Sequence, residues 1–205
     1  MKNNIRKELI LKVAKERFAK YGFKKTTMNE IAADLKMGKP TLYYYFPTKE
    51  QIFEEVLKFE INEFQNALKE IEKNENLTIE EKLKLYFDVR LKTFSDQSNL
   101  YQLQIDAVSL MHILDSESLY FKLIDIEIEF LRTILLKAIP RSKNKEEEAE
   151  RFANYLSTYA RGILLMFRVD SRRANSFHNL PENLKPENKW QFIVQSLTKN
   201  LIHQE

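Results

Sequence analysis

The chain has no cysteine, and only three glycines and five prolines among its 205 residues. Without cysteine it forms no disulfide and has no thiol nucleophile, which suits the reducing cytoplasm, where we expect the protein. Strands and tight turns need more glycine and proline, so their scarcity predicts a mostly helical fold. No apolar run approaches the roughly 18 residues of a membrane span. We therefore expect neither a signal peptide nor a membrane partner.

Charge is distributed unevenly along the chain. Residues 1–50 carry 12 Lys and Arg against 5 Asp and Glu, a net charge of +7. Residues 51–205 carry 21 against 25, a net charge of −4. A basic end beside a mildly acidic remainder is typical of a phosphate-binding module attached to a separate partner domain.

The most informative stretch runs from residue 26 to residue 49. Thr27 and Glu30 have capping-box spacing, which predicts a helix that begins at Met28. The periodicity then breaks at Lys36-Met37-Gly38, which predicts a turn. The apolar face of this first short helix consists of Ile31, Ala32 and Leu35.

A second short helix is predicted after that turn. Pro40 suits its first turn, because the missing N–H of proline costs nothing there. Pro47 ends it, and Leu42 and Tyr45 are its inward positions. Two short helices joined by a three-residue turn form a helix-turn-helix, whose second helix enters the major groove of DNA.

The outward side chains of the second helix are of types that bind DNA: a cation, hydroxyls and flat rings. Adjacent residues of a helix point about 100° apart, so at least one of the tyrosines at 43–45 must be exposed. The alternative is that all three are core aromatics. We expect Thr27 and Lys49 to reach phosphates and Pro40 to pack on a thymine methyl. The candidate DNA contacts are Thr27, Lys39, Pro40, Thr41, Tyr43, Tyr44 and Lys49.

A set of spaced residues between about 10 and 57 also matches a family pattern. It consists of Ala14 and Phe18, Tyr21-Gly22-Phe23, Thr26-Thr27, Ile31-Ala32, Lys39 to Phe46, and Lys49-Glu50. This stretch resembles the DNA-binding domain of TetR-family transcriptional regulators. Lys36 departs from the usual Gly, at a strain of about 1 kcal/mol if it is left-handed, and Gly38 departs from the usual Ser.

The resemblance implies an all-α fold of about nine helices. A three-helix DNA-binding domain at 1–47 would be joined by a long helix to a ligand-binding and dimerisation domain at 48–205. The spacing of apolar residues predicts the further helices. These lie at 4–21, 48–73, 78–95, 98–114, 117–139, 145–170 and 187–203. The apolar positions of the first are Ile5, Leu9, Val13 or Ala14, and Phe18, with Gly22 as its stop; the stripe of the long helix, capped by Thr48, is Ile52, Phe53, Val56, Leu57, Phe59, Phe64 and Leu68.

The segment 149–167 and the last helix are apolar on more than one face, so each needs a partner beyond its own core. In the family, the two final long helices pair with those of a second subunit. The resemblance therefore implies a homodimer that binds near-palindromic operator DNA. Charge at Leu164 or Phe167 should break that dimer. The alternative is that both helices are buried within a monomer.

The middle helices carry more large apolar side chains than one-sided packing requires. We therefore expect a hydrophobic or amphipathic effector to bind within residues 78–139. The chain would act as a repressor, and binding of the effector would release it from DNA. An ordinary filled core is the alternative at each position. The candidate ligand contacts are Phe87, Phe94, Tyr101, Leu103, Met111, His112, Phe121 and Ile128.

No sequence pattern supports catalysis, a cofactor or a metal. The three histidines lie far apart, and none has the spacing of a zinc-binding motif. Glycine-rich phosphate loops and serine nucleophile elbows are absent from the sequence. Two other hypotheses stay open: a helical interaction protein whose N-terminal module binds a protein partner, and an all-helical enzyme with an unrecognised carboxylate site.

Overall fold

The structure, a computed structural model, describes residues 2–93, 98–105, 116–140, 144–174, 182 and 185–202. These residues form nine helices and no strand, which confirms the all-α prediction. The predicted bounds agree closely where they can be compared; residues 94–95, 106–114 and 203 of the predicted helices lie outside the described residues. The helices are α1 (Lys2–Tyr21), α2 (Met28–Asp34), α3 (Lys39–Tyr45), α4 (Lys49–Lys73), α5 (Ile79–Thr93), α6 (Asn99–Ile105), α7 (Ser116–Ala138), α8 (Lys145–Ala174) and α9 (Pro186–Ile202).

The predicted ends of the first two helices follow from their backbone geometry. Gly22 has φ +84°, and its N–H donates to the carbonyl of Phe18 at 2.8 Å, which ends α1 in a left-handed cap. Lys36 likewise has φ 50° and ends α2. The N–H groups of Lys36 and Met37 donate to the carbonyls of Ala33 and Ala32 at 3.0 and 2.9 Å. This is a Schellman motif in which lysine occupies the position that glycine prefers.

The chain divides into two compact units. Unit 1 comprises residues 1–63 and 93–122, and unit 2 comprises residues 64–92 and 123–205. The functional domains predicted at 1–47 and 48–205 divide the chain by role and not by contacts, and they stay a prediction. Packing assigns α6 to unit 1, where it contacts α1.

The core of unit 1 is apolar and partly aromatic. The rings of Phe18 and Phe23 each lie 4.9 Å from the ring of Phe53. The inward stripe of α1 consists of Ile10, Ala14 and Phe18, each fully buried. Two predicted core positions of α1 were wrong: Ile5 is 63% exposed and Leu9 is 49% exposed, because they lie beside this stripe and not on it.

One predicted position of the α4 stripe was also wrong. Phe59 is 50% exposed, and the ammonium of Lys15 lies 5.0 Å from its ring centroid. The neighbouring residues Glu60 and Ile61 are buried instead. They continue the three- and four-residue spacing that begins at Phe53.

The core of unit 2 is built around one tryptophan. The ring of Trp190 stacks on Phe87 at 4.6 Å with an interplanar angle of 7°. Its indole N–H donates to the carbonyl of Leu83 at 3.0 Å, so the polar atom of this buried ring is satisfied. These contacts join α9 to α5 within the unit.

Candidate nucleic-acid interface

The helix-turn-helix begins with the predicted capping box. The N–H of Glu30 donates to the hydroxyl of Thr27 at 3.3 Å, and the N–H of Thr27 donates to the Glu30 carboxylate at 2.8 Å. The hydroxyl of Thr27 also donates to the Glu30 carboxylate, at 2.8 Å. This side-chain hydrogen bond, followed by the one from the N–H of Thr27, lowers the pKa of Glu30. Thr27 itself is exposed, so its position is compatible with a phosphate contact.

Arg17 ties α1 to α2, a contact that the sequence analysis missed. Its guanidinium donates to both carboxylate oxygens of Asp34 and lies 3.3 Å from Glu30. The hydrogen bond to Arg17 holds the pKa of Asp34 below its ordinary value. No local signal identifies this pair, because its partners lie on different helices 17 residues apart.

The second helix of the motif, α3, presents most of the predicted contact residues to solvent. Tyr44 is 75% exposed and Tyr43 is 47% exposed, whereas Leu42 is fully buried. Tyr45 is half-buried, and its ring meets that of Tyr44 edge-on at 5.3 Å. Among the remaining candidates on this helix, Lys39 and Pro40 are exposed and Thr41 is half-buried. These exposures exclude the alternative in which all three tyrosines are buried in the core.

Lys49 does not lie free at this surface. Its ammonium donates to the carbonyls of Phe23 and Thr26 at 3.0 and 2.9 Å, and the side chain is half-buried. The same ammonium lies 4.4 Å from the ring centroid of Phe23. The structure thus gives Lys49 partners within unit 1 that the sequence analysis did not foresee.

Two amide side chains of α6 bind the backbone of α1. Gln102 donates to the carbonyl of Phe18 at 2.7 Å and accepts from the N–H of Phe23 at 3.3 Å. Asn99 donates to the carbonyl of Lys15 at 3.2 Å. These contacts support the end of α1 that leads into the helix-turn-helix.

A buried carboxylate on α4 anchors α6 in turn. Glu60 is 7% exposed and accepts from the side chain of Asn99 at 2.9 Å and the N–H of Leu100 at 3.0 Å. Burial raises the pKa of Glu60, although these donors and the nearby Lys15 oppose the effect. Glu60 follows the buried Phe53 by two turns of α4, and this spacing could have predicted that Glu60 is buried.

A second feature, in unit 2, is an aromatic face on α8 and α9. Tyr155, Tyr159 and Phe192 are 62%, 59% and 72% exposed. They line a groove of about 430 Å³ together with Phe152, Leu156, Thr158, Ile193 and Ser196. We call these eight residues the aromatic face. The side chains of Leu164 and Phe167, the positions named for breaking a dimer, lie outside the described residues.

The eight predicted ligand contacts do not form one group in the described part of the chain. Phe87 stacks on Trp190 in the core of unit 2, where Ile128 is half-buried. Leu103 is buried in unit 1, and Phe121 of that unit is 50% exposed. Phe94, Met111, His112 and the side chain of Tyr101 lie outside the described residues. A pocket formed by these residues stays a prediction.

Unit 2 also contains a buried cluster of charged groups that the sequence analysis missed. Glu127 accepts from the hydroxyls of Tyr86 and Ser157 at 2.7 and 2.6 Å and pairs with the buried Arg90. Arg161 lies 3.5 Å from the same carboxylate. Burial raises the pKa of Tyr86 to about 12. Both carboxylate oxygens of Glu127 accept hydrogen bonds, so this cluster is a hydrogen-bonded polar network within the core.

The described residues contain neither a metal-binding cluster nor a membrane-spanning helix. They contain no group of three His, Cys, Asp or Glu side chains arranged to hold a metal ion. None of their helices combines the length and apolar character needed to cross a membrane.

Comparison with known proteins identifies the family of the N-terminal segment. Residues 10–56 match the family model of bacterial regulatory proteins of the tetR family. Over 87 residues the chain is 41% identical to the HTH-type transcriptional regulator QacR of Staphylococcus aureus, covering 42% of this chain and 46% of QacR. Over residues 10–56 the chain belongs to the TetR family. The matched segment coincides with the part of α1 from Ile10 onward, the helix-turn-helix and the start of α4.

The remaining comparisons extend the likeness of fold beyond that segment. The fold resembles a TetR transcriptional regulator from Legionella pneumophila, with a TM-score of 0.69, 20% identity, and 91% and 94% of the two chains covered. A transcriptional regulator from Cytophaga hutchinsonii is 29% identical, with a TM-score of 0.67 and coverages of 95% and 97%. The sequence matches span about half the length of the curated relatives.

Proposed function

We propose that this TetR-family chain is a homodimeric transcriptional repressor that binds near-palindromic operator DNA. The observation that carries the proposal is the exposed side of α3, where Lys39, Tyr43 and Tyr44 face solvent in the most basic part of the chain. A cation at the start of α3 and hydroxyl-bearing rings farther along its exposed side are groups that can contact the edges of bases in the major groove. The family membership of the segment supports the same reading.

The proposed contacts divide into two kinds. Lys39, Tyr43 and Tyr44, together with Thr41 and Pro40 beside them, would meet base edges and methyl groups, so they would set sequence preference. Thr27 and the N–H groups at the starts of α2 and α3 would meet phosphates, so they would set register without reading sequence. Gly38 caps α3 without a side-chain hydrogen bond. In the first turn Pro40 has no N–H and the N–H of Thr41 donates to the carbonyl of Gly38 at 3.0 Å, so the N–H of Lys39 is the backbone donor that could meet a phosphate.

The experiment that tests DNA binding has two stages. Genomic mapping of the bound sites would supply the operator, and fluorescence anisotropy would then measure affinity for it. Lys39→Ala and Tyr44→Ala should each cost about 1–3 kcal/mol of discrimination at particular base pairs. Lys69→Ala, which removes an exposed cation from the unit 2 part of α4, is the matched control and should bind normally. Unchanged sequence preference in both α3 variants would reject α3 as the recognition helix.

The homodimer part of the proposal is supported by the aromatic face. Soluble monomers rarely expose large contiguous apolar patches, and aromatic side chains are enriched in the cores of protein interfaces. A two-fold dimer would bring the same face of each subunit together. It would also repeat α3 twice, which accounts for a near-palindromic operator.

Sedimentation measurements would test that interface. Phe192→Glu should shift the protein from dimer to monomer at micromolar concentration, because a carboxylate in the centre of the apolar contact would be desolvated. Leu85→Glu changes an exposed apolar residue of the same unit outside the aromatic face and is the control. If Phe192→Glu sediments as a dimer while the fold is retained, the interface lies elsewhere.

Release by a small hydrophobic or amphipathic molecule completes the proposal. Its support is the density of apolar side chains between residues 78 and 139. A ligand shifts operator affinity by its differential affinity for two states, commonly about 1–3 kcal/mol. Once a thermal-shift screen of apolar compounds identifies a binder, calorimetry should find its affinity reduced by operator DNA by the factor with which it reduces operator binding. Equal affinity with and without operator would exclude the switch.

A further inference from the structure

The ammonium of Lys49 is held by the loop that precedes the helix-turn-helix. It donates to the carbonyls of Phe23 and Thr26 at 3.0 and 2.9 Å, and its charge lies 4.4 Å from the Phe23 ring centroid. Two of its three protons are therefore used within the protein, and its charge has a further partner in the ring. A lysine that contacted only phosphates would extend into solvent and would not donate to these two carbonyls.

The loop that binds Lys49 is itself tightly closed. The hydroxyl of Thr26, a fully buried residue, donates to the carbonyl of Gly22 at 2.9 Å, and its N–H donates to the carbonyl of Phe23 at 3.3 Å. The carbonyls of Phe23 and Thr26 lie between α1 and α2, outside either helical ladder. In this part-buried site Lys49 adds a second, charged donor to the carbonyl of Phe23 and provides a charged donor to the carbonyl of Thr26, where an unsatisfied carbonyl is costly.

The position of Lys49 in the chain gives this contact its consequence. Thr26 directly precedes the capping residue of α2, and Lys49 is the first residue of α4 after α3. The ammonium thus joins the two ends of the segment that carries the helix-turn-helix. Phe53, one turn later on the same face of α4, packs against the ring of Phe23 at 4.9 Å and strengthens the same connection.

We infer that Lys49 is a positioning residue that fixes the two ends of the helix-turn-helix, and not a phosphate contact. This inference rests on the proposed DNA-binding function and changes the role first expected for Lys49. Reaching out to a phosphate would give up two charge-assisted hydrogen bonds and a cation–π contact for one exposed ion pair. Bonds to charged groups are worth more than exposed ion pairs, so the internal arrangement wins.

The test compares Lys49→Met with Lys25→Met. Methionine keeps most of the apolar stem of Lys49 but cannot donate to the carbonyls, whereas Lys25 is an exposed cation in the same loop. Lys49→Met should accelerate amide hydrogen exchange across residues 22–31 and weaken operator binding about tenfold. The slope of log affinity against log salt should stay at the wild-type value, because no phosphate contact is lost. Lys25→Met should leave hydrogen exchange unchanged.

The opposite pattern would overturn the inference. A phosphate contact would lower the salt slope by about 0.9 for each subunit, with hydrogen exchange unchanged. If Lys49→Met does not fold, Lys49→Gln provides the second variant, because its neutral amide can still donate to a carbonyl. It should keep the wild-type salt slope, and a lower slope would again reject positioning. If the wild-type protein binds no DNA, the proposed function fails, but the hydrogen-exchange comparison still decides whether Lys49 holds the loop.

Discussion

The helix-turn-helix and the core of unit 2 are held together over different distances along the chain. In the first, the capping box joins residues three apart, and the Schellman motif at Lys36 joins residues three and five apart. In the second, Glu127 meets Tyr86, Arg90 and Ser157 across 41, 37 and 30 residues. Local hydrogen bonds thus set where the first short helix of the helix-turn-helix begins and ends, whereas the charged cluster of unit 2 depends on partners that come together when the whole unit folds.

The two regions also differ in where their charges lie. On α3 the cation Lys39 faces solvent, so losing it should affect binding and leave the fold intact. In unit 2, Glu127 and Arg90 are each 1% exposed, so losing either should affect the fold itself. A charged side chain is therefore available for the proposed recognition of DNA in one region and is part of the core in the other.

The largest expected effect comes from breaking the buried cluster. Glu127→Ala should lower the free energy of unfolding by about 3–5 kcal/mol, because Arg90 would be left buried without its carboxylate partner. Urea denaturation followed by circular dichroism would measure it. Glu129→Ala, two residues along α7, removes a carboxylate from an exposed pair with Arg132 and should cost under about 1 kcal/mol. A similar cost for both variants would remove the distinction between buried and exposed charges.

A smaller effect should follow from removing a capping residue. Thr27→Ala should lower the free energy of unfolding by about 1 kcal/mol, because α2 loses its side-chain acceptor. Thr78 forms the same box with Glu81 at the start of α5 and provides a matched comparison in unit 2. Thermal denaturation of Thr27→Ala and Thr78→Ala should give similar losses, since the contact is local in both. A severalfold difference would mean that tertiary context controls the caps.

The cost of Thr27→Ala should also depend on pH. Hydrogen bonds from Thr27 lower the folded-state pKa of Glu30 below its unfolded value. Their contribution to stability is therefore fully present above the unfolded pKa of about 4.3 and is lost as pH falls through the folded pKa. The difference between wild type and Thr27→Ala should shrink when denaturation is measured in increasingly acidic buffer. A difference that grows on acidification would contradict the assignment.

The predictability of each region follows from this contrast. The beginning of α2 at Met28, the stop at Gly22 and the exposure of Tyr44 could be predicted because each depends on neighbours within one turn of helix. The family resemblance of residues 10–57 was readable for the same reason, since its motif is a run of local signals. The fold class followed from the scarcity of glycine and proline.

The remaining features could not be read from local sequence. Periodicity could have placed Glu60 and Glu127 on inward faces, but it cannot name partners some 40 residues away. The role of Lys49 depends on carbonyls 23 and 26 residues earlier in the chain. Ile5, Leu9 and Phe59 were wrongly predicted to be buried. Each lies at the edge of the apolar stripe of its helix, and hydrophobic periodicity does not show which edge packs against a neighbouring helix.

The smallest expected effect concerns the lysine at the turn, and it has the opposite sign. Lys36→Gly should raise the free energy of unfolding by about 0.5–1 kcal/mol, because glycine adopts φ 50° without the steric cost that a Cβ imposes. The gain is limited, since glycine also makes the unfolded chain more flexible. Lys25→Gly, at an exposed lysine in the loop before α2, should instead destabilise, which separates relief of strain from loss of charge. Urea denaturation of both variants would check the signs. A loss of stability in Lys36→Gly would mean that the side chain of Lys36 makes contacts whose value exceeds the strain of its backbone.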